Sequence, residues 1–314
     1  MCAILFASNA LATNSGLNFE AVNDASLVDP VGGKAGAAAV LRAQILLKRA
    51  HFSVGEIDAG FGSNTRKAIA AYQSRHGLPA SGILDAASWA SLNIDAAPVL
   101  VSYTVIAADV AGPFVKLPKD MMAKAELPAL GYESALEALA EKFHSSPNLL
   151  KRLNPGVDLT QAEQKIIVPA VEGKALAKAE KVVVDRSEST VTLLDASDQV
   201  LAHYPASTGS EHDPLPVGYW KILPIAANPT FHYNPDLFWD ANDAHAKAKI
   251  PAGPNNPVGV VWVDLSKEHY GIHGTPEPSR VGKSQSHGCI RLTNWDAKAM
   301  SEAIVAGTPA LLQE

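Results

Sequence analysis

Cysteine is scarce in this chain of 314 residues, because only Cys2 and Cys289 occur. Two thiols could form one disulfide at most, but Cys2 lies in an apolar stretch, residues 1–12, that ends in the small-x-small pattern typical of a signal-peptide cleavage site. We interpret this stretch as the remnant of an export signal, with a floppy apolar terminus as the alternative, since no Lys or Arg precedes it. After cleavage, Cys289 is a lone thiol in an exported protein.

Positive charge and long apolar runs are also in short supply. The net charge is −6 and the isoelectric point lies near 5.9, which argues against a nucleic-acid partner because such proteins normally present a basic face. No later segment approaches the ~18 to 20 continuous apolar residues of a membrane span. What is present is an apolar fraction of 47%, enough for real cores, in a length that suits two or three domains.

Residues 37–93 have the pattern of a small three-helix unit. Apolar residues recur at helical spacing from Ala37, a Gly-rich turn follows at residues 55–62, and further helices are predicted after Gly62 and from Asp85. The unit resembles the type 1 family of bacterial peptidoglycan-binding domains, with one departure at Ala50-His51, where that family often carries a glycine. The residues that carry the resemblance are Leu41-Arg42-Ala43-Gln44, Ile57 to Thr65, Tyr72-Gln73, Gly77-Leu78, Gly82 and Trp89.

The middle of the chain, residues 99–170, predicts a small α+β module. A strand over 99–105 is followed by helices over 134–142 and 147–153, and by a closing strand over 165–169. This order, with Asn154-Pro155 before the last strand, resembles a LysM glycan-binding module. Residues 107–130 are then an insertion, since LysM units are usually shorter; an unrelated connecting domain is the alternative.

Residues 180–314 predict a mainly-β domain. Short runs of β-branched residues, separated by polar turns with frequent Pro and Gly, indicate many short strands in about 130 residues. This pattern is typical of a β-sandwich or a barrel-like fold. Residues 13–35, by contrast, are rich in Asn, Ser, Gly and Asp, and predict a loose leader ahead of the first module.

The chemistry is concentrated in two short motifs of this last domain, Ile272-His273-Gly274 and Ser286-His287-Gly288-Cys289. A thiol attacks only as thiolate, and a neighbouring imidazole can take its proton and later return it to a leaving amine. His287 would share a face with Cys289 in an extended segment. His273 can approach only if its own strand lies beside the Cys289 strand, so the residues alone leave both histidines open as the base.

A resemblance to the YkuD-type L,D-transpeptidase catalytic domain covers roughly residues 180–314. That family's signature is a histidine followed by Ser/Thr-His-Gly-Cys, and the resemblance implies that Cys289 is the nucleophile and His273 the general base. It also implies that the Gly274 carbonyl orients His273, and that His287 with the amides of Gly288 and Cys289 shapes an oxyanion site. The predicted substrate-binding residues are Ser286 and Arg291, the latter because its guanidinium suits a carboxylate.

The resemblance implies a cysteine acyltransferase that joins peptidoglycan stem peptides by 3-3 cross-links, without cofactor or metal, in the periplasm or cell wall. With water as the acceptor, the same thiol chemistry would make the protein a carboxypeptidase or endopeptidase, and with a lipoprotein as the acceptor it would anchor that lipoprotein to the wall. A protein that binds the wall without catalysis is the alternative from another functional class. Three further interpretations give these residues a role other than the proposed catalysis. In the first, Cys289 is a buried structural thiol. In the second, three residues are zinc ligands, namely His273, His287 and Cys289. In the third, Arg291 only caps a surface strand.

Overall fold

A computed structural model describes residues 17–314 of the chain. The predicted export signal and Cys2 lie outside the described residues. Within residues 17–314, none of the helices combines the length and the apolar character that crossing a membrane requires.

The first module contains the three predicted helices and one more. These are α1 (Phe19–Asn23), α2 (Ala37–Arg49), α3 (Ser63–Arg75) and α4 (Ala86–Leu92). The prediction of a loose leader is wrong for residues 17–35, because Val22 and Val31 are fully buried in the core of this module and Val31 forms a β-bridge with Leu84. His51 has φ of 69°, the left-handed conformation in which the related family's glycine is favoured.

The middle module has the predicted order of strand, two helices and strand. The elements are β1 (Leu100–Thr104), α5 (Met121–Ala125), α6 (Ala135–Lys142), α7 (Pro147–Leu153) and β2 (Lys165–Pro169). The strands β1 and β2 pair antiparallel over five residues each, and a small core lies between them and the two later helices. Helix α5, which the sequence did not predict, falls within the insertion over residues 107–130.

The last module is mainly β, as predicted. Its elements are β3 (Lys181–Asp185), β4 (Thr190–Leu194), β5 (Val200–Pro205), β6 (Gly218–Ala227), β7 (Phe231–Tyr233), β8 (Ala248–Ile250), β9 (Val261–Leu265), β10 (Gly271–His273), β11 (Ile290–Arg291), α8 (Asn294–Ala303) and β12 (Pro309–Gln313). Eight strands form one sheet in the order β11-β10-β9-β6-β12-β3-β4-β5, while β7 and β8 form a separate hairpin.

The predicted sandwich of two sheets is not what these eight strands form. Tyr204 in β5 and Ile290 in β11 lie near opposite ends of the strand order, yet both belong to the same buried core. The single sheet therefore curls around that core, to which α8 contributes Ala297, Met300 and Ala303. A curled sheet buries one apolar face without needing a second sheet. The alternation of apolar residues along each strand is the same in a curled sheet and in a sandwich, so it does not distinguish them.

The three modules pack directly against one another. The segment after α2 pairs with the edge strand β5, since Ser53 donates its backbone N–H to His203 and His203 donates to His51, at 2.8 and 2.9 Å. Ile57 is held in the same way by the backbone of His144 and Ser146 in the middle module. Apolar residues of the middle module, Val99, Leu100, Leu149, Leu153 and Val171, complete the core of the first.

A buried ion pair fixes the first module to the last one. Lys48 Nζ lies 2.7 Å from Asp296 Oδ1, the side chains are 9% and 0% exposed, and Ser53 donates its hydroxyl to the other carboxylate oxygen at 2.7 Å. Removing one partner of such a pair leaves an uncompensated buried charge. Lys48→Met is therefore expected to lower the free energy of unfolding by about 3–5 kcal/mol, measured by urea denaturation.

The matched control is Lys181→Met. Lys181 pairs with Asp198 at 2.5 Å, but that carboxylate is 70% exposed, and the loss of an exposed pair is expected to cost about 0–1 kcal/mol. Equal losses in the two variants would contradict the assigned role of Lys48 in holding the modules together.

Candidate active site

Parallel pairing of β10 with β11 brings the two predicted motifs together. Ile272 is the register partner of Ile290, and both side chains are fully buried in the core. Because side chains alternate along a strand, His273 and its register partner Arg291 point to the opposite face, and Cys289, two residues before Arg291, shares it. The structure therefore places the predicted base, on β10, and the predicted nucleophile, immediately before β11, on one side of this strand pair.

Trp262 and Gly271 shape the floor beside the imidazole. Trp262, on β9, is the register partner of His273, and the two rings stack at 5.5 Å between centroids with 18° between their planes. A Cβ at position 271 would lie 2.5 Å from the indole ring. Gly271 therefore gives the indole its space, and its N–H is also close enough to donate to the Cys289 sulfur.

The hydrogen bond at Nδ1 determines the tautomer of His273. Nδ1 lies 2.6 Å from the carbonyl oxygen of Gly274, and the side chain is 4% exposed. A carbonyl oxygen only accepts, so Nδ1 carries the hydrogen and Nε2 keeps a free lone pair. Burial, with the nearby Arg291 charge, lowers the pKa of His273 to about 3, so the imidazole is neutral at rest.

Asn294, the first residue of α8, supports the segment that carries this carbonyl. Its Oδ1 accepts the backbone N–H of Val260 at 3.2 Å, and its Nδ2 donates to the Pro254 carbonyl at 3.1 Å. A Cβ at position 274 would lie 2.2 Å from the same Oδ1, and a Cβ at position 259 would lie 2.0 Å from it. Glycine at both positions allows this close approach.

The Cys289 thiol is half-buried and protonated at rest. Its sulfur lies 3.8 Å from the carbonyl oxygen of His269. Burial raises the pKa of Cys289 above its ordinary value, against the opposing effects of the Gly271 N–H and the Arg291 charge. Because the thiol and the His273 imidazole are both neutral at rest, attack by sulfur requires that a base remove the proton as the reaction proceeds.

The turn before β11 is stabilised by a hydrogen bond between two of its own residues. Ser286 is 4% exposed, and its hydroxyl donates to the Cys289 carbonyl at 2.5 Å. Gly288 has φ of 90°, and a Cβ there would lie 2.8 Å from the Tyr270 ring. The amides of Gly288 and Cys289 donate to no acceptor within residues 17–314. The predicted binding of substrate by Ser286 and the predicted oxyanion site stay predictions.

His287 contacts Arg291 and an acid that the sequence did not suggest, Asp240. His287 Nε2 lies 2.9 Å from Asp240 Oδ1, and its Nδ1 lies 3.5 Å from a guanidinium nitrogen of Arg291. The Phe238 ring packs edge-on against the imidazole at 5.4 Å. Among residues 17–314, His287 therefore has partners at both ring nitrogens, whereas His273 has a partner at Nδ1 only.

No group of three or more potential metal-binding side chains occurs among the residues that the structure describes. The site residues that sequence reasoning missed are Asp240, Trp262, Gly271 and Asn294. They reach the site by strand pairing and loop packing, and no local motif marks them.

The insertion of the middle module holds the hairpin that carries Asp240. Leu130 of the insertion packs against Tyr233 and Ile250 of the β7–β8 hairpin, and all three are 5% exposed or less. His245 in the connecting loop joins the two parts, with Nε2 2.8 Å from Asp120 Oδ2 and Nδ1 3.0 Å from the Tyr233 hydroxyl. The insertion thereby fixes the loop that contacts His287.

His245→Ala removes both contacts and is expected to loosen this loop. Since a hydrogen bond to a charged group contributes about 1.5–3 kcal/mol, we expect kcat/KM to fall about tenfold or more. Alkylation of Cys289 by iodoacetamide should be unchanged or faster, because a looser loop exposes the thiol. The control is Lys247→Ala, which breaks an exposed pair with Asp236 on the same loop. A parallel loss of alkylation rate would contradict a role confined to the loop.

Comparison with known proteins shows which family the chain is similar to. Residues 179–312 match the family model YkuD, the L,D-transpeptidase catalytic domain, and residues 36–92 match PG_binding_1, a peptidoglycan binding domain. A Bacillus licheniformis protein assigned as the L,D-transpeptidase YkuD is 30% identical over 175 residues, which are 55% of this chain and 90% of the relative. The chain belongs to the L,D-transpeptidase family.

More distant L,D-transpeptidase relatives are also similar to the chain. Escherichia coli YbiS, assigned to the same activity, is 26% identical over 189 residues, 57% of this chain and 60% of that protein. Among solved structures, an L,D-transpeptidase from Xylanimonas cellulosilytica is 14% identical, with 87% of this chain and 92% of that chain covered and a TM-score of 0.36. The family assignment therefore rests on the sequence relatives, which are closer. Membership implies a cell-envelope location.

Proposed function

We propose that this member of the L,D-transpeptidase family forms 3-3 cross-links between peptidoglycan stem peptides through a thioester on Cys289. The single observation that carries the proposal is the β10–β11 pairing, which gives His273 and Cys289 one shared face while the Gly274 carbonyl holds Nδ1. A neutral imidazole with a free Nε2 beside a protonated thiol is the arrangement that base-assisted attack requires.

In the first half-reaction, Nε2 of His273 takes the thiol proton while the sulfur attacks the carbonyl carbon of the third stem residue. The resulting oxyanion is stabilised by the amides of Gly288 and Cys289, which have no acceptor within residues 17–314. Collapse breaks the bond to the terminal D-amino acid. The imidazolium returns its proton to the leaving amine, and the thioester remains.

In the second half-reaction, the side-chain amine of another stem attacks the thioester. His273 takes a proton from that amine and gives it to the departing sulfur, so the enzyme returns to its neutral pair. Arg291, on the same face, carries the charge that suits an anionic stem peptide. This division of roles uses no cofactor or metal.

The first two modules supply affinity for the insoluble polymer under this proposal. The match of residues 36–92 to a peptidoglycan binding domain supports this role for the first module. For the middle module, the antiparallel pair β1–β2 around two helices is consistent with LysM-like glycan binding. Weak contacts on a linked module raise the local concentration of substrate at the thiol.

The acceptor defines the alternatives. Water would make the same thioester a carboxypeptidase or endopeptidase intermediate, and a lipoprotein amine would give anchoring to the wall. A non-catalytic wall-binding protein would need neither the free Nε2 nor the thiol.

Incubation with purified stem peptides, followed by mass analysis, tests the proposal. We expect release of the terminal D-amino acid and a joined product linked between third residues. Released amino acid with hydrolysed stem alone would favour water as acceptor. A carbapenem is expected to add covalently to Cys289, and failure of both acylation and turnover would favour the wall-binding alternative.

A further inference from the structure

A cavity of about 720 Å³ lies where the three modules meet, away from Cys289. The first module contributes Glu56 to its wall. The middle module contributes part of its insertion, α6 and the segment after α6, and the catalytic module contributes two loops and the start of α8. Its charged and polar lining residues include Glu56, Glu137, Glu141, Ser145, Asn294 and Trp295. No residue of the β10–β11 site other than the Asn294 support lines it.

Two side chains on this wall have buried polar atoms without a partner. Ser145 is 2% exposed and Trp295 is 7% exposed, and neither Ser145 Oγ nor Trp295 Nε1 has a hydrogen-bond partner within residues 17–314. His144, whose ring stacks on Trp295 at 5.1 Å, has an equally unpartnered Nδ1. Buried polar groups are nearly always hydrogen-bonded, so the two unpartnered atoms on this wall indicate a polar occupant.

The same wall carries two carboxyl groups that have no ion-pair partner among residues 17–314. Neither Glu56 nor Glu141 forms an ion pair in the described part of the chain. Burial raises the pKa of each to about 7, helped by Asp58 at Glu56 and by Glu137, Glu56 and Asp296 at Glu141. The only opposing contributions are the Lys283 charge at Glu56 and the Asn294 amide at Glu141.

We propose that this junction cavity is a second binding site, which takes a primary amine on a polar chain, such as the side-chain amine of a peptide. The ammonium group binds between the carboxylates of Glu56 and Glu141, while Ser145 and the Trp295 N–H bond the polar atoms of the chain that bears it. That this chain is a wall stem peptide rests on the proposed function; the amine chemistry does not.

The charge of the wall selects this ligand class. An anion would meet Glu56, Glu137 and Glu141, and a neutral sugar would leave the two buried carboxylates uncompensated. The basic side chains of the lining do not pair with them: Lys116 and Lys119 are exposed, Lys124 interacts with Glu277 and Glu133, and Arg280 pairs with Glu277. An ammonium group supplies the missing opposite charge together with three donors.

The indole N–H of Trp295 provides a direct measurement on the full chain. Nα-acetyl-lysine amide is titrated while the tryptophan indole resonances are followed by NMR, with the Trp295 signal assigned by its loss in Trp295→Phe. We expect the amine to shift this resonance, and the same probe acetylated on its side chain to leave it unmoved. Glu141→Gln and Glu56→Gln should each weaken binding about tenfold or more, whereas Glu172→Gln, at an exposed position, should not.

A stability measurement separates a binding role from a structural one. A carboxyl whose pKa is raised from 4.5 to about 7 in the folded state destabilises that state above pH 7, and the effect is absent below pH 4.5, where both states are protonated. Glu141→Gln is therefore expected to raise Tm at pH 8 and leave it unchanged at pH 4. A group retained only to hold the modules together would instead lower Tm when replaced.

Two results would overturn the proposal. Equal shifts with the amine and its acetylated form would show no selection for charge, and no shift with either would mean that the cavity holds water alone. Neither depends on Cys289, so loss of stem turnover with intact amine binding refutes the proposed reaction and leaves this site standing.

Discussion

Cys289→Ala is expected to abolish both release of the terminal D-amino acid and formation of joined stems, with kcat/KM lower by about 10³-fold or more. The reason is that the proposed route passes through a covalent bond to this sulfur, and no other side chain on the shared face of β10 and β11 is a nucleophile of comparable strength. Mass analysis of stem products gives the rate, and the mass of the intact protein shows whether a carbapenem adds.

The controls distinguish chemistry from folding. Cys2→Ala removes the other thiol of the chain and is expected to leave turnover unchanged. Since the Cys289 side chain is only half-buried, Cys289→Ala should keep Tm close to that of the parent. Turnover by Cys289→Ala at an undiminished rate would rule out the thiol mechanism.

His273→Asn is expected to lower kcat about 10²- to 10⁴-fold, the range that a general base contributes. Asparagine can still donate to the Gly274 carbonyl, which accepts from Nδ1 at 2.6 Å, but it offers no basic nitrogen to the thiol. The matched variant is His287→Asn, whose ring nitrogens are bonded to Asp240 and Arg291. We expect the smaller loss there, and the reverse order would assign the base to His287.

The pH dependence of acylation and of thiol alkylation also tests whether His273 acts as a neutral base towards a protonated thiol. Because the pKa of His273 is lowered to about 3, the imidazole stays neutral and able to accept a proton from pH 8 down to pH 5. Its protonation should therefore cause no loss of acylation rate in that range. Because burial raises the pKa of Cys289, alkylation by iodoacetamide should rise through and above pH 9. A thiolate plateau below pH 7 would instead indicate a preformed ion pair and would contradict base-assisted attack.

Local chemistry made several elements predictable from the sequence. The strand Lys165–Pro169 and the helix Pro147–Leu153 lie where the apolar pattern predicted them, and Ser134 caps helix α6 at its predicted start. Caps and periodicity are properties of neighbouring residues, so they are legible without tertiary structure. Strand β10, with three residues, was too short to show a pattern of its own.

The sequence by itself carries the motifs of the family and predicts the reacting groups: a thiol in Ser-His-Gly-Cys, an upstream His-Gly, and a glycine-punctuated helical module before them. Only the tertiary structure decided which strands are neighbours, that one sheet curls instead of two stacking, and that Trp262, Asn294 and Asp240 reach the site. The physical reason is that these features depend on pairing and packing between residues far apart in the chain. The residue pattern of a single segment is compatible with several such arrangements, and burial of the whole core selects one.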